Sequence, residues 1–296
     1  METFSIILIF VMGASVAYPL IFNKWGTVSL VLGNLIVYSA ILALSILGMK
    51  ETFYSTVMDL VFIPSDLYGY RIYTTMTSAF FHISPTHIFM NLVFLFLLGF
   101  PLEIKAGSRL MAALYLPSAI GGSILYALLS PGNTPALGAS GAISGLLGAL
   151  VALYPRDEIP MFLGPIFLRR VPVFIVAGVF LIMESAYAVS TADNVAHTAH
   201  IGGLIAGMAV GAVGSKIAFR GRRPSVMGAE GLEELATNEE LREVLQKIKN
   251  EDNPEIRDAW LEEFAASSKC LECSGALHIE GKKIACEKCG WERKIE

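Results

Sequence analysis

One serine and one histidine of this chain have neighbours that suit them to chemistry. Ser140 stands between Gly138 and Gly141 at the start of a short apolar segment, and His200 is followed closely by two glycines. A serine hydroxyl is a poor nucleophile until a base takes its proton, and histidine is the usual base. Glycines leave the backbone beside Ser140 bare, so that a substrate carbonyl could approach. Ser140 and His200 are therefore candidates for nucleophilic catalysis, in which a histidine takes the proton of the serine.

Two further polar residues are of the types that stabilise negative charge on a substrate oxygen. His87 and Asn91 are four residues apart, which places them on one face of a helix, one turn apart. Both side chains can donate hydrogen bonds, and the Ser140 N–H at a helix N-terminus can donate another. We therefore expect His87, Asn91 and Ser140 to form an oxyanion hole.

Alternative candidates lie close to each motif. Ser144 also precedes a glycine, but only Ser140 has glycine at both the −2 and the +1 position. His197 lies one turn from His200 and could orient or hydrate the site. The sequence assigns no role to His82.

Two acidic residues near the histidine motif have other interpretations. Asp193 is seven residues before His200, about two helical turns away, so it is a better candidate for a helix N-cap than for a third catalytic acid. Glu184 lies within an apolar segment and could line a water-filled cavity or pair with a neighbouring span. The sequence does not decide between these two roles.

Charge divides the chain into two unlike parts. Residues 1–215 contain 17 Asp, Glu, Lys and Arg, which is about 8%, whereas residues 216–296 contain 31, about 38%. An ordinary soluble chain carries about 25%. The first part is therefore predicted to be a polytopic membrane domain, embedded in the lipid bilayer, and the second a soluble tail. A net charge of −4 argues against a bulk nucleic-acid binder.

Seven segments are candidates for membrane-spanning helices, which need about 20 predominantly apolar residues. The fifth is short and ends at Pro155, because proline cannot continue a helical hydrogen-bond ladder. The first begins without a basic stretch, so we expect a retained span and not a cleaved signal peptide. The segments are Phe4–Phe22, Thr27–Met49, Ser84–Leu102, Leu110–Leu129, Ser140–Tyr154, Val171–Ser190 and Val195–Ala218.

Basic residues predict how these spans are oriented. With seven spans, ten Lys and Arg of the short loops and the start of the tail fall on one side, and only Lys50 and Arg71 fall on the other. The side with the basic excess is the cytoplasmic one. We therefore expect a plasma-membrane protein with its N-terminus outside and its tail in the cytoplasm. The long outer loop from Lys50 to His82 is partly apolar and should be structured.

Small residues predict that the fifth and seventh spans pack closely. Gly141, Gly145 and Gly148 follow Ser140, and Gly202, Gly203 and Gly207 follow His200 at roughly helical spacing. Close packing would bring Ser140 within hydrogen-bond reach of His200. The polar sites also begin the third, fifth and seventh spans at their outer ends, so they can meet at one depth.

These motifs resemble the rhomboid family of intramembrane serine proteases. The likeness runs from about Thr27 to Ala218 and rests on HxxxN at His87, GASG at Ser140, AHIGG at His200 and the stretch LGFPLEIKAGSR with Glu103. It implies a Ser–His dyad without a third acid and without a catalytic cofactor, with Ser140 as nucleophile and His200, not His197, as general base. It also implies cleavage of transmembrane protein substrates, and it marks the first span as an addition to the core. The family often carries an aromatic residue where this chain has Ser144.

The tail combines predicted helices with a metal-ligand pattern. Thr237–Glu240 is typical of a capping box and precedes an amphipathic helix, and Asn253-Pro254 predicts the start of a second one. Four cysteines then form two C-x2-C pairs with 12 residues between them: Cys270, Cys273, Cys286 and Cys289. Thiolates in a reducing compartment suit tetrahedral zinc, with iron in a rubredoxin-like site as the minor alternative. The tail could also dock a cytoplasmic protein partner.

Together these features predict an all-α polytopic membrane protein. It would comprise an extra N-terminal transmembrane helix (1–25), a six-helix rhomboid-like core (26–219), a charged helical linker (220–268) and a small zinc ribbon with four cysteine ligands (269–296). The predicted function is intramembrane serine endopeptidase. The alternatives are a catalytically silent rhomboid-fold protein that binds membrane clients, and a solute transporter, against which the absence of an internal repeat argues.

Overall fold

A computed structural model describes residues 1–129, 132–163, 166–190, 196–221, 232–251, 254–280 and 283–294. The chain forms two compact units, Met1–Ser215 and Lys216–Glu296. The predicted division into four segments stays a prediction.

Helices dominate the first unit, and one lies at each of the seven segments predicted to span the membrane. Two further helices, α3 and α4, lie in the loop from Lys50 to His82, which is structured as expected. The helices are α1 (Thr3–Phe22), α2 (Gly26–Ile46), α3 (Lys50–Leu60), α4 (Thr74–Thr77), α5 (Pro85–Ala106), α6 (Ser108–Leu129), α7 (Ser140–Leu153), α8 (Val173–Ser190) and α9 (His197–Gly221).

The chain is a multi-pass membrane protein by the length and hydropathy of these helices. Among the described residues, α1, α2, α5 and α6 are long and apolar enough to cross a bilayer, and α7 and α8 are shorter apolar helices. Helix α7 is the central one, since every residue from 142 to 150 is buried. It ends at Leu153, as expected from Pro155.

Side chains at two helix starts satisfy backbone N–H groups that the helices leave unpaired. Ser84 caps α5 and accepts a hydrogen bond from the His87 N–H, with Pro85 at the first helical position. At the start of α2, the Glu103 carboxylate accepts from the N–H groups of Gly26 and Thr27 at 2.6 and 2.7 Å. These contacts fix α5 and α2 in place.

The loop from Lys50 to His82 holds the segment that leads into α7. Phe62 and Ala136 form an antiparallel bridge, and the Gly138 N–H donates to the Ser78 carbonyl at 2.9 Å. Within the loop, Arg71 forms an ion pair with Asp66 at 2.9 Å, and this hydrogen bond raises the pKa of Arg71. The start of α7 is therefore anchored by a loop that precedes it by some 60 residues.

A β-hairpin between α7 and α8 was not predicted. Strand β1 (Glu158–Leu163) pairs with β2 (Ile166–Pro172) in antiparallel register, with Glu158 opposite Pro172 and Leu163 opposite Ile166. The sequence signal was Gly164-Pro165 between two apolar runs, which is typical of a turn. The sixth span accordingly begins at Val173 and not at Val171.

The predicted close packing of α7 and α9 is confirmed. A Cβ on Gly203 would overlap the carbonyl oxygen of Gly141, and a Cβ on Gly207 would overlap that of Gly145. Helix α6 approaches both helices in the same way, because a Cβ on Gly122 would lie 2.7 Å from the Ala199 carbonyl oxygen. Backbone contact at this distance is possible only without side chains.

After α9, the described residues of the second unit form a short 3-10 helix (Glu233–Leu235), two α-helices and a small sheet around one apolar core. Helices α10 (Glu239–Asn250) and α11 (Pro254–Ser267) lie where the sequence predicted them. The N-cap of α10 is Asn238 and not Thr237, since the Asn238 side chain accepts from the Leu241 N–H at 2.8 Å. The predicted cap Asn253 lies outside the described residues. Strands β3 (Leu277–Glu280), β4 (Lys283–Cys286) and β5 (Glu292–Lys294) form an antiparallel sheet in the order β3-β4-β5.

Replacing Gly203 by alanine should force α7 and α9 apart. We expect Gly203→Ala to lose about 1–3 kcal/mol of unfolding free energy, the usual cost of overpacking a core. Gly178→Ala on α8 is the matched control, because no atom lies within 4 Å of its Cβ position. Unfolding in detergent measures both variants. Equal stability of the two would contradict the close contact.

Candidate active site

The two residues predicted to do the chemistry meet at the start of α7. The Ser140 Oγ lies 2.7 Å from the His200 Nε2, although 60 residues separate them in the sequence. Ser140 is the first residue of α7, so its N–H is one of those that the helix leaves unpaired. Both residues are partly buried. A nucleophile and a base at this distance are arranged for proton transfer.

A carboxylate that the sequence left unassigned contacts the same histidine. The Glu184 Oε2 lies 2.8 Å from the His200 Nδ1 and 2.7 Å from the His197 Nδ1. The predicted alternative of pairing with a neighbouring span is therefore the one that the structure supports. Asp193, the other acidic candidate, lies outside the described residues.

The Ser144 side chain bonds within its own helix and is not part of the Ser140–His200 contact. Its hydroxyl donates to the Ser140 carbonyl oxygen at 2.8 Å, and the residue is buried. Position 144 therefore places no aromatic ring against His200. The ring of Phe180 on α8 lies 6.4 Å from that of His200, centroid to centroid. The environment of the histidine is thus built largely by α8.

His87 lies against the loop that carries Ser140. Gly138 has a φ of +114°, and a Cβ there would lie 2.6 Å from the His87 Nε2. Glycine is required at 138 for both reasons. Asn91 is buried and donates from Nδ2 to the His87 carbonyl oxygen at 2.9 Å. The structure thus brings His87 to the Gly138 end of the nucleophile loop, with Asn91 one turn further along α5.

His82 also supports this loop, a role that the sequence did not reveal. Its Nε2 accepts a hydrogen bond from the Ala139 N–H at 3.3 Å, and the side chain is only 1% exposed. The rings of His82 and His87 are in edge contact at 4.9 Å. Because the Ala139 N–H donates to His82, a substrate oxygen would have to accept from another N–H at the start of α7, such as that of Ser140.

A family model described as a rhomboid domain matches residues 69–217, half of the chain and all of the site. The chain belongs to the rhomboid family. This rhomboid is 30% identical to RHOMBOID-like protein 12, mitochondrial, of Arabidopsis thaliana, over 45% of its own length and 44% of the relative. It is 37% identical to the Rhomboid protease GluP of Bacillus subtilis (strain 168), over 45% of its own length and 24% of the relative.

Family membership does not by itself establish activity. A further Arabidopsis relative, 32% identical over 30% of this chain and 25% of the relative, is called Inactive RHOMBOID-like protein 8. The chain spans less than half the length of these relatives. The relative named as mitochondrial also means that the predicted plasma-membrane location is not supported. The comparisons give no support for a cytoplasmic partner of the tail.

The four tail cysteines come together as the sequence predicted. Their sulfur atoms all lie within 4.8 Å of one another and could hold a metal ion. The Cys270 and Cys289 Sγ atoms are 3.6 Å apart, and those of Cys273 and Cys286 are 3.5 Å apart. Backbone N–H donation from Cys289 lowers the pKa of the Cys286 thiol to about 6, which favours the thiolate that binds metals.

Proposed function

We propose that this rhomboid is an intramembrane serine endopeptidase. The observation that carries the proposal is the 2.7 Å contact between the Ser140 Oγ and the His200 Nε2. His200 would take the hydroxyl proton as Ser140 attacks the scissile carbonyl, and the protonated His200 would then donate it to the leaving amine. Water would hydrolyse the resulting acyl-enzyme with His200 again as the base.

The oxyanion of the tetrahedral intermediate would be held by donors around Ser140. The Ser140 N–H at the start of α7 is one of these donors. The neighbouring Ala139 N–H already donates to His82. The proximity of His87 to Gly138 supports His87 as a second donor, and Asn91 stands one turn from it on the same helix face. Such preorganised donors stabilise developing charge strongly in a site that excludes water.

Transmembrane protein segments are the proposed substrates. The candidate site belongs to a multi-pass membrane unit and lies at the start of a buried helix, so the peptide must reach it from the bilayer or its surface. A helical peptide bond is shielded by its own hydrogen-bond ladder. Local unwinding of the substrate, aided by small residues such as alanine or glycine, should therefore favour cleavage.

Cleavage of a single-pass model substrate in liposomes tests this function. We expect Ser140→Ala and His200→Ala each to lower kcat by about 10⁴-fold or more, as in other serine hydrolases. Ser144→Ala is the matched control, because its hydroxyl bonds to a helix carbonyl and lies outside the dyad. Cleavage that persists in Ser140→Ala and stops in Ser144→Ala would show that the nucleophile is misassigned. Wild-type protein that binds the substrate and never cleaves it would favour the silent client-binding alternative.

We propose that the tail cysteines hold a structural zinc ion. With Zn–S bonds of about 2.3 Å, a tetrahedral site has sulfur–sulfur edges of about 3.8 Å, close to the 3.5 and 3.6 Å separations in the structure. Gly275 leaves the centre open, since a Cβ there would lie 3.1 Å from the sulfurs of both Cys273 and Cys286. Four thiolates favour zinc over harder cations.

Metal analysis of the purified full chain should find about one zinc per molecule. We expect Cys286→Ser to abolish binding, because it removes one of the four ligands. Ser274→Gly is the control in the same loop: Ser274 has a φ of +56°, which glycine adopts freely, and it supplies no ligand atom. Iron in place of zinc, or no metal at all, would rule out the zinc site.

We also propose that the N-terminus is outside and the tail is cytoplasmic, because basic residues are concentrated on the tail's side. All four native cysteines follow residue 269, so a membrane-impermeant maleimide reports on the tail alone. In sealed right-side-out vesicles, the maleimide should modify the native cysteines only after the vesicles are permeabilised with a chelator present. A cysteine introduced by Tyr70→Cys, in an exposed position of the outer loop, should be modified before permeabilisation. Modification of the native cysteines in intact vesicles would show that the tail is outside, opposite to the proposed orientation.

A further inference from the structure

One carboxylate oxygen connects two histidines to the candidate nucleophile. The Glu184 Oε2 lies 2.7 Å from the His197 Nδ1 and 2.8 Å from the His200 Nδ1, and the His200 Nε2 lies 2.7 Å from the Ser140 Oγ. The side chains of Glu184, His197 and His200 are only 14%, 9% and 12% exposed. This chain of contacts crosses from α8 to α9 to α7.

We propose that Glu184 is a positioning residue that extends the Ser140–His200 dyad into a Ser–His–Glu chain. The proposal rests on the serine hydrolase function argued above and goes beyond it, because the family resemblance implies a dyad without a third acid. Glu184 does not touch the substrate. It acts through His200, by fixing which ring nitrogen carries the proton.

The proton assignment follows from the chemistry of the two nitrogens. A carboxylate only accepts hydrogen bonds, so a neutral His200 beside Glu184 carries its proton on Nδ1. The Nε2 is then left with a lone pair facing the Ser140 hydroxyl, which is the form that a general base needs. When His200 takes the serine proton, the adjacent carboxylate stabilises the imidazolium. Without Glu184, the tautomer protonated on Nε2 would compete and could not act as the base.

The surroundings of Glu184 hold its carboxylate in place. His197 contacts the same oxygen, and the His197 ring stacks on Tyr187 of α8, with centroids 5.3 Å apart and an interplanar angle of 18°. Tyr187 follows Glu184 by three residues, so both side chains point from one face of α8 towards α9. A carboxylate in an apolar segment is costly unless it is partnered. Two histidine partners make Glu184 tolerable there and aim it at His200.

Kinetics of the full-length enzyme on the liposome substrate test the proposal. Glu184→Gln keeps the shape and removes the charge, and we expect kcat to fall by about 10²–10⁴-fold, the range that general base catalysis contributes. KM should change little, because Glu184 does not bind substrate. Glu184→Asp restores the charge on a side chain that is one methylene shorter, so it should recover part of the lost kcat.

Glu103→Gln is the matched control for loss of a partly buried carboxylate. Glu103 accepts from two N–H groups at the start of α2 and from the Ser108 hydroxyl, away from the dyad. We expect this variant to unfold at lower temperature and to keep the kcat of the folded enzyme. A purely structural role of Glu184 would give Glu184→Gln the same behaviour.

The outcomes separate this proposal from the one it rests on. If Ser140→Ala is inactive and Glu184→Gln keeps wild-type kcat, the dyad stands and the Glu184 role is wrong. A loss of kcat that Glu184→Asp does not partly reverse would also overturn it. Metal dependence would overturn it as well. If a chelator inactivates the enzyme and Zn²⁺ restores the activity only when Glu184 and both histidines are present, these three residues are metal ligands. If neither Ser140→Ala nor Ser144→Ala lowers the activity, the serine hydrolase function itself fails.

Discussion

The backbone contact between α7 and α9 is the constraint on which the candidate site depends. Gly203 and Gly207 lie so close to the carbonyl oxygens of Gly141 and Gly145 that no side chain fits between the helices. Ser140 begins one helix and His200 lies in the first turn of the other. Only because the two helices touch along their glycines can a short serine side chain reach the imidazole at 2.7 Å.

The bilayer adds a second requirement, that each polar group buried in the membrane unit has a partner. Several groups of the site meet it with partners from the site itself. His82 accepts from the Ala139 N–H, Ser144 donates to the Ser140 carbonyl, and Glu184 lies between His197 and His200. The contacts that make these groups tolerable in an apolar unit also orient Ser140 and His200 towards each other.

Sequence reasoning located the candidate site where local motifs define it. Glycines around Ser140 and after His200 predicted the helix contact that brings these two residues together, and apolar length located all seven predicted segments. It missed the β1–β2 hairpin, whose second strand ends in Val171 and Pro172, the first two residues assigned to the sixth span. It could not place Glu184, because an acid 16 residues before His200 meets it only through the packing of α8 against α9, which no local pattern encodes. The cap of α10 was wrong by one residue, since both Thr237 and Asn238 have side chains that can cap.

The central claim is that Ser140 is a nucleophile activated by His200, and covalent labelling of the folded protein tests it most directly. A serine-directed fluorophosphonate should form an adduct that mass spectrometry of the digested chain locates on Ser140. The adduct should be absent from His200→Ala and from protein unfolded before labelling. An adduct on Ser144, or none in the folded wild-type protein, would contradict the assignment.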